Sequence, residues 1–456
     1  MPLPWYSALV HWNGSKSATL PSGPGIVATF GFVCNPYRFL DECARRYGSW
    51  FTIRVPGVTP FVFTSEPAAI REILLGNSEL LHAGKANRPL GAFMGERSVL
   101  FLDGEAHLHD RRLILPAFRG ERMRTYGPAM RSIARSAIAK WPVGEPFAVY
   151  PSMRSITFDV IMQAAFGLGK SGESAHLKDL IARLFALYSG RFASLFTLSA
   201  LRLDLGPWSP WGRVVRRNRE MESALFAEFA QRRASQSHNR EDILSMLLGA
   251  RDENGSPMSD ITLRDEMMTL LLAGHETTAA SLAWAMHQLA LHPEATRAAR
   301  DELARMPEDA DPASMTYLDA VVNETMRLCP VVPNIGRELQ APMEIAGRAL
   351  PKGAVLAPCI YLAHRRADLW PDPEKFDPSR FIGSRPNPYQ FFPFGGGARR
   401  CLGAAFATYQ MKIVLAEVIR RFDIEPVSGY APQPSRLSIA IGPSHGMPVV
   451  LKAQTG

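Results

Sequence analysis

The sequence predicts a mainly α-helical chain with a minor β portion and one exceptionally long helix. Three observations predict it. From Ser259 to about His292 the residues follow one unbroken helical pattern, unusually apolar from Met267 to Ala273. From Gly104 to about Arg251 the pattern is again mostly helical. Strand-like pieces are short and lie toward the two ends of the chain. With 456 residues, 46% of them hydrophobic, a large buried core is possible, and nothing suggests disorder or a fibre. The expected division is an irregular lead-in over residues 1–25 and one domain over 26–456.

The elements follow in order. Leu20-Pro21-Ser22-Gly23-Pro24-Gly25 is a Pro/Gly stretch that closes the lead-in. Asn35-Pro36 opens a helix through Phe39, Leu40 and Cys43. Residues 51–55 and 61–64, β-branched and aromatic around Pro56-Gly57, predict a hairpin. Glu66-Pro67 starts a helix toward Ile73. Residues 83–103 hold Gly84, Pro89, Gly91 and Gly95 without a period and read as a long loop, a kind that often carries function. The helical stretch after it should break at Pro116, Pro142, Pro151, Pro207 and Pro210. Beyond the long helix, a second runs from about Thr316 to Leu328 and ends at Cys329-Pro330. Strand-like pieces follow at 335–339 and 343–345. Residues 367–394 are rich in Pro and aromatics with little period. After Cys401 a helix should reach Phe422, and short strands should finish the chain.

Charge and cysteines narrow the function. The formal charge is +8, but the basic residues occur only in short pairs such as Arg111-Arg112, Arg216-Arg217 and Arg399-Arg400, which argues against nucleic acid. Five scattered cysteines, Cys34, Cys43, Cys329, Cys359 and Cys401, make no disulfide framework and lack Cys-x-x-Cys pairs. No early stretch approaches the roughly 18 apolar residues of a membrane span, and none has the build of a signal peptide. A cytoplasmic, monomeric protein without a membrane anchor is expected.

The most informative stretch is Phe394-Gly395-Gly396-Gly397-Ala398-Arg399-Arg400-Cys401-Leu402-Gly403. Its glycines let the backbone approach a flat ligand. Cys401 sits where the loop meets a helix start, where N–H groups and the helix dipole favour a thiolate. Read alone, the loop serves equally as a Gly-rich turn around a structural cysteine. The whole run fits F-x-x-G-x-R-x-C-x-G and resembles the haem-binding loop of the cytochrome P450 family. That resemblance makes Cys401 the axial thiolate of a haem b iron, donating electron density that favours O–O cleavage. Phe394 would shield the sulfur, Arg399 would pair with a haem propionate, and Gly397 and Gly403 hold their places in the motif.

Further stretches carry the same resemblance. Glu324-Thr325-Met326-Arg327 matches E-x-x-R, and spacing of three puts both side chains on one helix face. Residues 373–381 match P-x-x-F-x-P-x-R-F, whose Arg380 would join Glu324 and Arg327 in a structural network behind the haem. Ala273-Gly274-His275-Glu276-Thr277-Thr278 matches A-G-x-[D/E]-T-[T/S]. There Ala273 and Gly274 leave room for a ligand, and the Thr277 hydroxyl can bond a carbonyl one turn back and disturb the helix ladder. Glu276 and Thr277 would be the acid–alcohol pair that relays protons to the oxygen site; His275 fills a packing slot. His107-x-x-x-Arg111 and Arg337 would bind haem carboxylates.

The implied activity is monooxygenation of a hydrophobic small molecule with O2 as co-substrate. No flavin or nicotinamide fingerprint is present, so electrons should come from a ferredoxin or flavodoxin-type donor with its reductase. Arg112, Arg119, Arg400 and Lys412 are expected to form a basic docking face for it. The pocket would draw on residues 83–103, 184–215, the long helix, the segment after Pro330 and a C-terminal turn, with Phe93, Met94, Phe192, Leu272, Val332, Ile335 and Ile441 as candidates. Two other readings are a peroxide-driven hydroxylase and a haem-based ligand binder or sensor. The intact Glu276-Thr277 pair argues against both. Fatty acids, terpenes, steroids and polyketide-like molecules all fit such a pocket.

Overall fold

The structure, a computed structural model, describes residues 20–25, 31–54, 59–119, 122–167, 172–188, 203–235, 241–436 and 440–454. Its axis is the helix Asp260–Leu291, 32 residues and therefore about 48 Å long. The Ser259 side chain caps it by accepting the Thr262 N–H. An apolar face all round suits a helix enclosed by others. Helices Val149–Phe166, Thr316–Leu328 and Ala404–Ile419 pack on it, together with the strand Ile441–Pro443.

The β portion forms a side layer. Strands 50–53, 61–64, 355–358, 337–339 and 81–82 make one five-stranded sheet in that spatial order. The hairpin 50–53/61–64 is antiparallel, with Phe51 opposite Phe63 and their rings stacked at 5.2 Å. Strand 61–64 then pairs parallel with 355–358, nearly 300 residues later. A second sheet joins 146–148, 448–453 and 422–426. The helix Pro36–Tyr47, capped by Asn35, covers the first sheet, and Tyr37 stacks on Tyr361 at 4.3 Å. Among the described residues no helix is long and apolar enough to cross a membrane.

Several expectations are corrected. Residues 83–103 are not one loop: they wind into the short helices Ala83–Asn87, Arg88–Leu90 and Gly91–Met94 before an irregular segment. Three to five residues are too few to show a helical period. The helix after Cys401 stops at Ile419, because Phe422 already pairs with Ala453 in a strand. Pro151 does not break a helix; it sits in the first turn of Val149–Phe166, where its missing N–H has no intrahelical partner to lose. Pro128 stands inside the helix Arg122–Ile138.

Candidate functional site

Between Asp265 and His287 the central helix is buried at every residue except Ala273, Gly274 and Thr277. These three lie at spacings of one and four, so they form one small accessible face on an otherwise enclosed helix. The Thr277 hydroxyl donates to the Ala273 carbonyl at 2.7 Å, the bond anticipated from sequence. It does not interrupt the helix, which runs through to Leu291. Glu276 turns the other way and is buried. It accepts a 2.7 Å bond from Arg154 and a 3.4 Å bond from the Tyr150 hydroxyl. Burial, reinforced by the Glu276 carboxylate, pushes the Tyr150 phenol far up, so it stays a donor. His275 packs parallel to Phe185 at 5.9 Å with Nδ1 3.2 Å from the Thr157 hydroxyl. Burial holds it neutral, at about 4. That is the packing role expected of it.

The cysteine loop closes on itself: the Cys401 N–H donates to the Phe394 carbonyl at 2.9 Å. The next helix begins at Ala404. Gly397 has φ +63°, and a methyl there would collide with the Leu74 carbonyl. The glycine is thus required by the helix Pro67–Leu75 behind the loop, a reason the sequence did not reveal. The Cys401 thiol keeps accessible surface although protein surrounds it closely. Burial pushes its pKa up, while the Gly403 N–H, Arg111 and Arg400 pull it back only in part. The Gly403 N–H, Arg111 and Arg400 thus favour the thiolate, as the sequence suggested for this loop, and burial opposes them. A bound metal cation would deprotonate it outright.

Cations converge near this loop from distant parts of the chain. Arg399 donates to the Val99 carbonyl at 3.1 Å, to the Leu102 carbonyl, and to Asp103 at 2.6 Å. Arg337 is buried and bonds the Gly336 carbonyl at 2.7 Å. Burial, and then Arg399, lowers Arg337 to about 10. His107 is buried too; burial and the positive charges of Arg399, Arg111 and Arg337 drive it down to about 3. Asp103 is the carboxylate set against these cations. It also accepts the Gly84 and Lys85 N–H groups and lies 3.6 Å from His82. The sequence reading missed Asp103, although an Asp directly before Gly104 and a helix start was a visible signal.

Behind the loop, Arg327 and Glu324 are both fully buried and form two parallel bonds at 2.6 and 2.8 Å. Arg380 lies 3.5 Å from Glu324, so the three residues come together as expected. Arg327 also donates to the carbonyls of His364, Pro373 and Lys375, tying down the irregular 367–394 stretch. His364 adds a bond from the Phe392 N–H at 3.0 Å, two residues before the cysteine loop. Its role was not legible in sequence.

A helix with one small accessible face, a cysteine loop braced by a buried Glu–Arg–Arg set, and a cluster of buried cations describe a known architecture. The family model "Cytochrome P450" matches residues 23–447. The chain belongs to the cytochrome P450 family. It is 40% identical over 445 residues to the Mycobacterium tuberculosis protein named "Putative cytochrome P450 135B1", covering 97% of this chain and 93% of that one. A second protein of that organism, "Putative cytochrome P450 138", is 34% identical over 94% of this chain and 95% of its own. Among solved structures, the retinoic acid-bound cyanobacterial CYP120A1 superposes with a TM-score of 0.84 at 28% identity, over 96% of this chain and 100% of that one. This P450 is accordingly a haem-thiolate monooxygenase that uses haem b, O2 and an external electron donor, and acts on a hydrophobic substrate.

The residues present fit that cofactor. Three arginines, Arg337 buried and Arg111 and Arg399 partly so, against one Asp103 leave a positive excess, the chemistry that two porphyrin carboxylates require. Phe394 is partly buried against the main core beside the loop. Of the pocket candidates, Met94 and Leu272 pack into the main core and Ile441 into the core under the helix Pro36–Tyr47. Val332 and Ile335 are half-buried. The side chain of Phe93, and Phe192 altogether, lie outside the described residues. One expectation fails: Lys412 is buried and paired with Asp319 at 2.9 Å, so it belongs to no docking face. Arg112, Arg119 and Arg400 are exposed.

Proposed function

We propose that the Cys401 thiolate would ligate the haem iron and that His107, Arg111, Arg337 and Arg399 would hold the haem carboxylates, with Phe394 to shield the sulfur and Ala273 to leave room for the cofactor. Gly397 and Gly403 shape the loop, and Glu324, Arg327 and Arg380 keep it in place. Bound haem supplies the activation of dioxygen, with the thiolate as electron donor. Thr277 holds a proton at its hydroxyl next to the oxygen site. Glu276 would pass it on from water that reaches its buried carboxylate alongside Arg154, whose side chain is 31% exposed; the guanidinium marks the way to solvent and carries no proton itself. That connection is the observation that favours O2-driven turnover over a peroxide-driven hydroxylase or a ligand sensor, neither of which needs a proton route.

The physiological donor is a ferredoxin or flavodoxin-type protein docking on Arg112, Arg119 and Arg400. The enzyme works as a cytoplasmic monomer, with residues 26–456 as one catalytic domain after a short lead-in. Its substrate is apolar, drawn to a pocket that includes Val332 and Ile335. The retinoic acid in CYP120A1 supports a hydrophobic ligand of that general kind.

Thr277→Ala tests the proton route. Oxygen consumption should persist while product per electron pair falls by up to about 10²-fold and hydrogen peroxide accumulates. Unchanged coupling would refute the role. Arg112→Glu together with Arg119→Glu should slow reduction by an acidic ferredoxin about tenfold at low ionic strength, with the difference vanishing in high salt. Stopped-flow reduction under carbon monoxide measures it.

A further inference from the structure

Residues 95–103 connect the short helices to the helix Gly104–Ile114, and bonds grip this irregular segment from two sides. From the central helix, Asp265 accepts the Arg97 N–H at 2.9 Å, Glu266 accepts the Val99 N–H at 2.5 Å, and Thr269 donates to the Ser98 hydroxyl at 2.7 Å. From the cysteine loop, Arg399 holds the carbonyls of Val99 and Leu102. Val99 is thus pinned at both ends of its backbone, its N–H by Glu266 and its carbonyl by Arg399. Gly95 allows the close approach: its φ is +86°, and a methyl there would collide with the Asp265 carboxylate.

We propose that Glu266 is a positioning residue: by holding the Val99 N–H it fixes the Val99 carbonyl, and through it places the Arg399 guanidinium. This rests on the reading above that Arg399 meets a haem carboxylate. The grip spans the distal helix and the thiolate-side loop through one residue of an otherwise irregular segment.

The grip is also sensitive to protonation. Glu266 is fully buried, and its Oε2 has no hydrogen-bond partner among the described residues. Burial raises its carboxyl to about 8; the Val99 N–H pulls it back, and Asp110 and Asp265 push it further up. The charged groups around it are Asp265 and Arg264 on its own helix, with Glu222 of the helix Pro210–Ala234 on Arg264. Glu96 and Arg97 stand on the gripped segment, and Asp110 lies on the helix Gly104–Ile114 beside His109, which faces Asp252. The value lies above the ordinary carboxyl range, so the closed grip is favoured with Glu266 neutral. Its stabilisation is complete at low pH and is lost as pH rises through about 8, where the ionised form is better served with the segment open to water.

The test uses haem-loaded protein. Amide exchange of residues 97–103, corrected for intrinsic rate, and haem transfer to excess apomyoglobin are followed at pH 7 and pH 9. In the native protein, protection should fall about tenfold by pH 9, the ratio of ionised to neutral carboxyl one unit above its midpoint, and haem transfer should quicken with it. Glu266→Gln keeps an acceptor for Val99 and cannot ionise, so both readouts should stay flat. Glu266→Ala should lose the protection at both pH values. A Glu266→Gln protein that titrates like the native one overturns the proposal, as does undiminished protection in Glu266→Ala. Arg399→Gln separates the two readings. If haem transfer is unaltered there while the segment still answers to Glu266, the haem-anchoring role of Arg399 fails and the grip on Val99 stands.

Discussion

Cys401→Ala should abolish the thiolate-type Soret band of the reduced carbon monoxide complex and reduce oxygenase turnover to background. The substitution is small and the residue keeps accessible surface, so the fold should survive. The backbone bond from residue 401 to the Phe394 carbonyl does not involve the sulfur and should persist. Only the donor atom is lost, and with it the electron density that favours O–O cleavage. A reduced carbon monoxide difference spectrum, with circular dichroism as the folding control, measures the outcome. A thiolate-type band surviving in Cys401→Ala would remove the axial assignment.

Glu324→Ala should cost roughly 3–5 kcal/mol of stability, the expected loss when one partner of a buried ion pair is removed. The remaining Arg327 would sit fully buried with its charge uncompensated. Arg380 would lose its carboxylate, and the Asp377 N–H its acceptor at 2.8 Å. A loss of that size is a large share of the ~5–15 kcal/mol by which native domains are stable. Urea unfolding of the haem-loaded protein measures it, and faster haem loss should accompany it, since Arg327 ties down the stretch that leads into the cysteine loop. Glu324→Gln, which keeps the shape, should fall between the two. A Glu324→Ala protein as stable as the native one would show that backbone carbonyls alone satisfy Arg327.

What was legible in sequence was local. The helix Asp260–Leu291 was read to within a residue at each end, because a cap and a long apolar run suffice to define it. The Thr277–Ala273 bond was equally foreseeable, since donor and acceptor are one turn apart. The helix Thr316–Leu328 put Glu324 and Arg327 on one face by spacing alone. Short elements were not legible: five residues at Ala83–Asn87 cannot display a period, and the Gly and Pro residues in this stretch suggested a loop. Lys412 was misplaced because a basic residue near the thiolate side was taken to face solvent, whereas Asp319, almost a hundred residues earlier, draws it inside.

By itself, the sequence determined that this protein contains one long helix, that Cys401 sits in a loop suited to a thiolate ligand, and that Glu276 and Thr277 stand side by side on that helix. The first is a continuous helical run and the other two are patterns within about ten residues, where spacing dictates which side chains share a face. Only the tertiary structure decided what those residues answer to. It set Arg154 and Tyr150 on Glu276, Leu74 against Gly397, Asp103 among the buried cations, and Glu266 and Arg399 on the two ends of Val99. These partners lie tens to hundreds of residues apart, and no local periodicity brings them together. Burial does: an enclosed charge or N–H must find a partner, and the packing of the helices determines which one it finds.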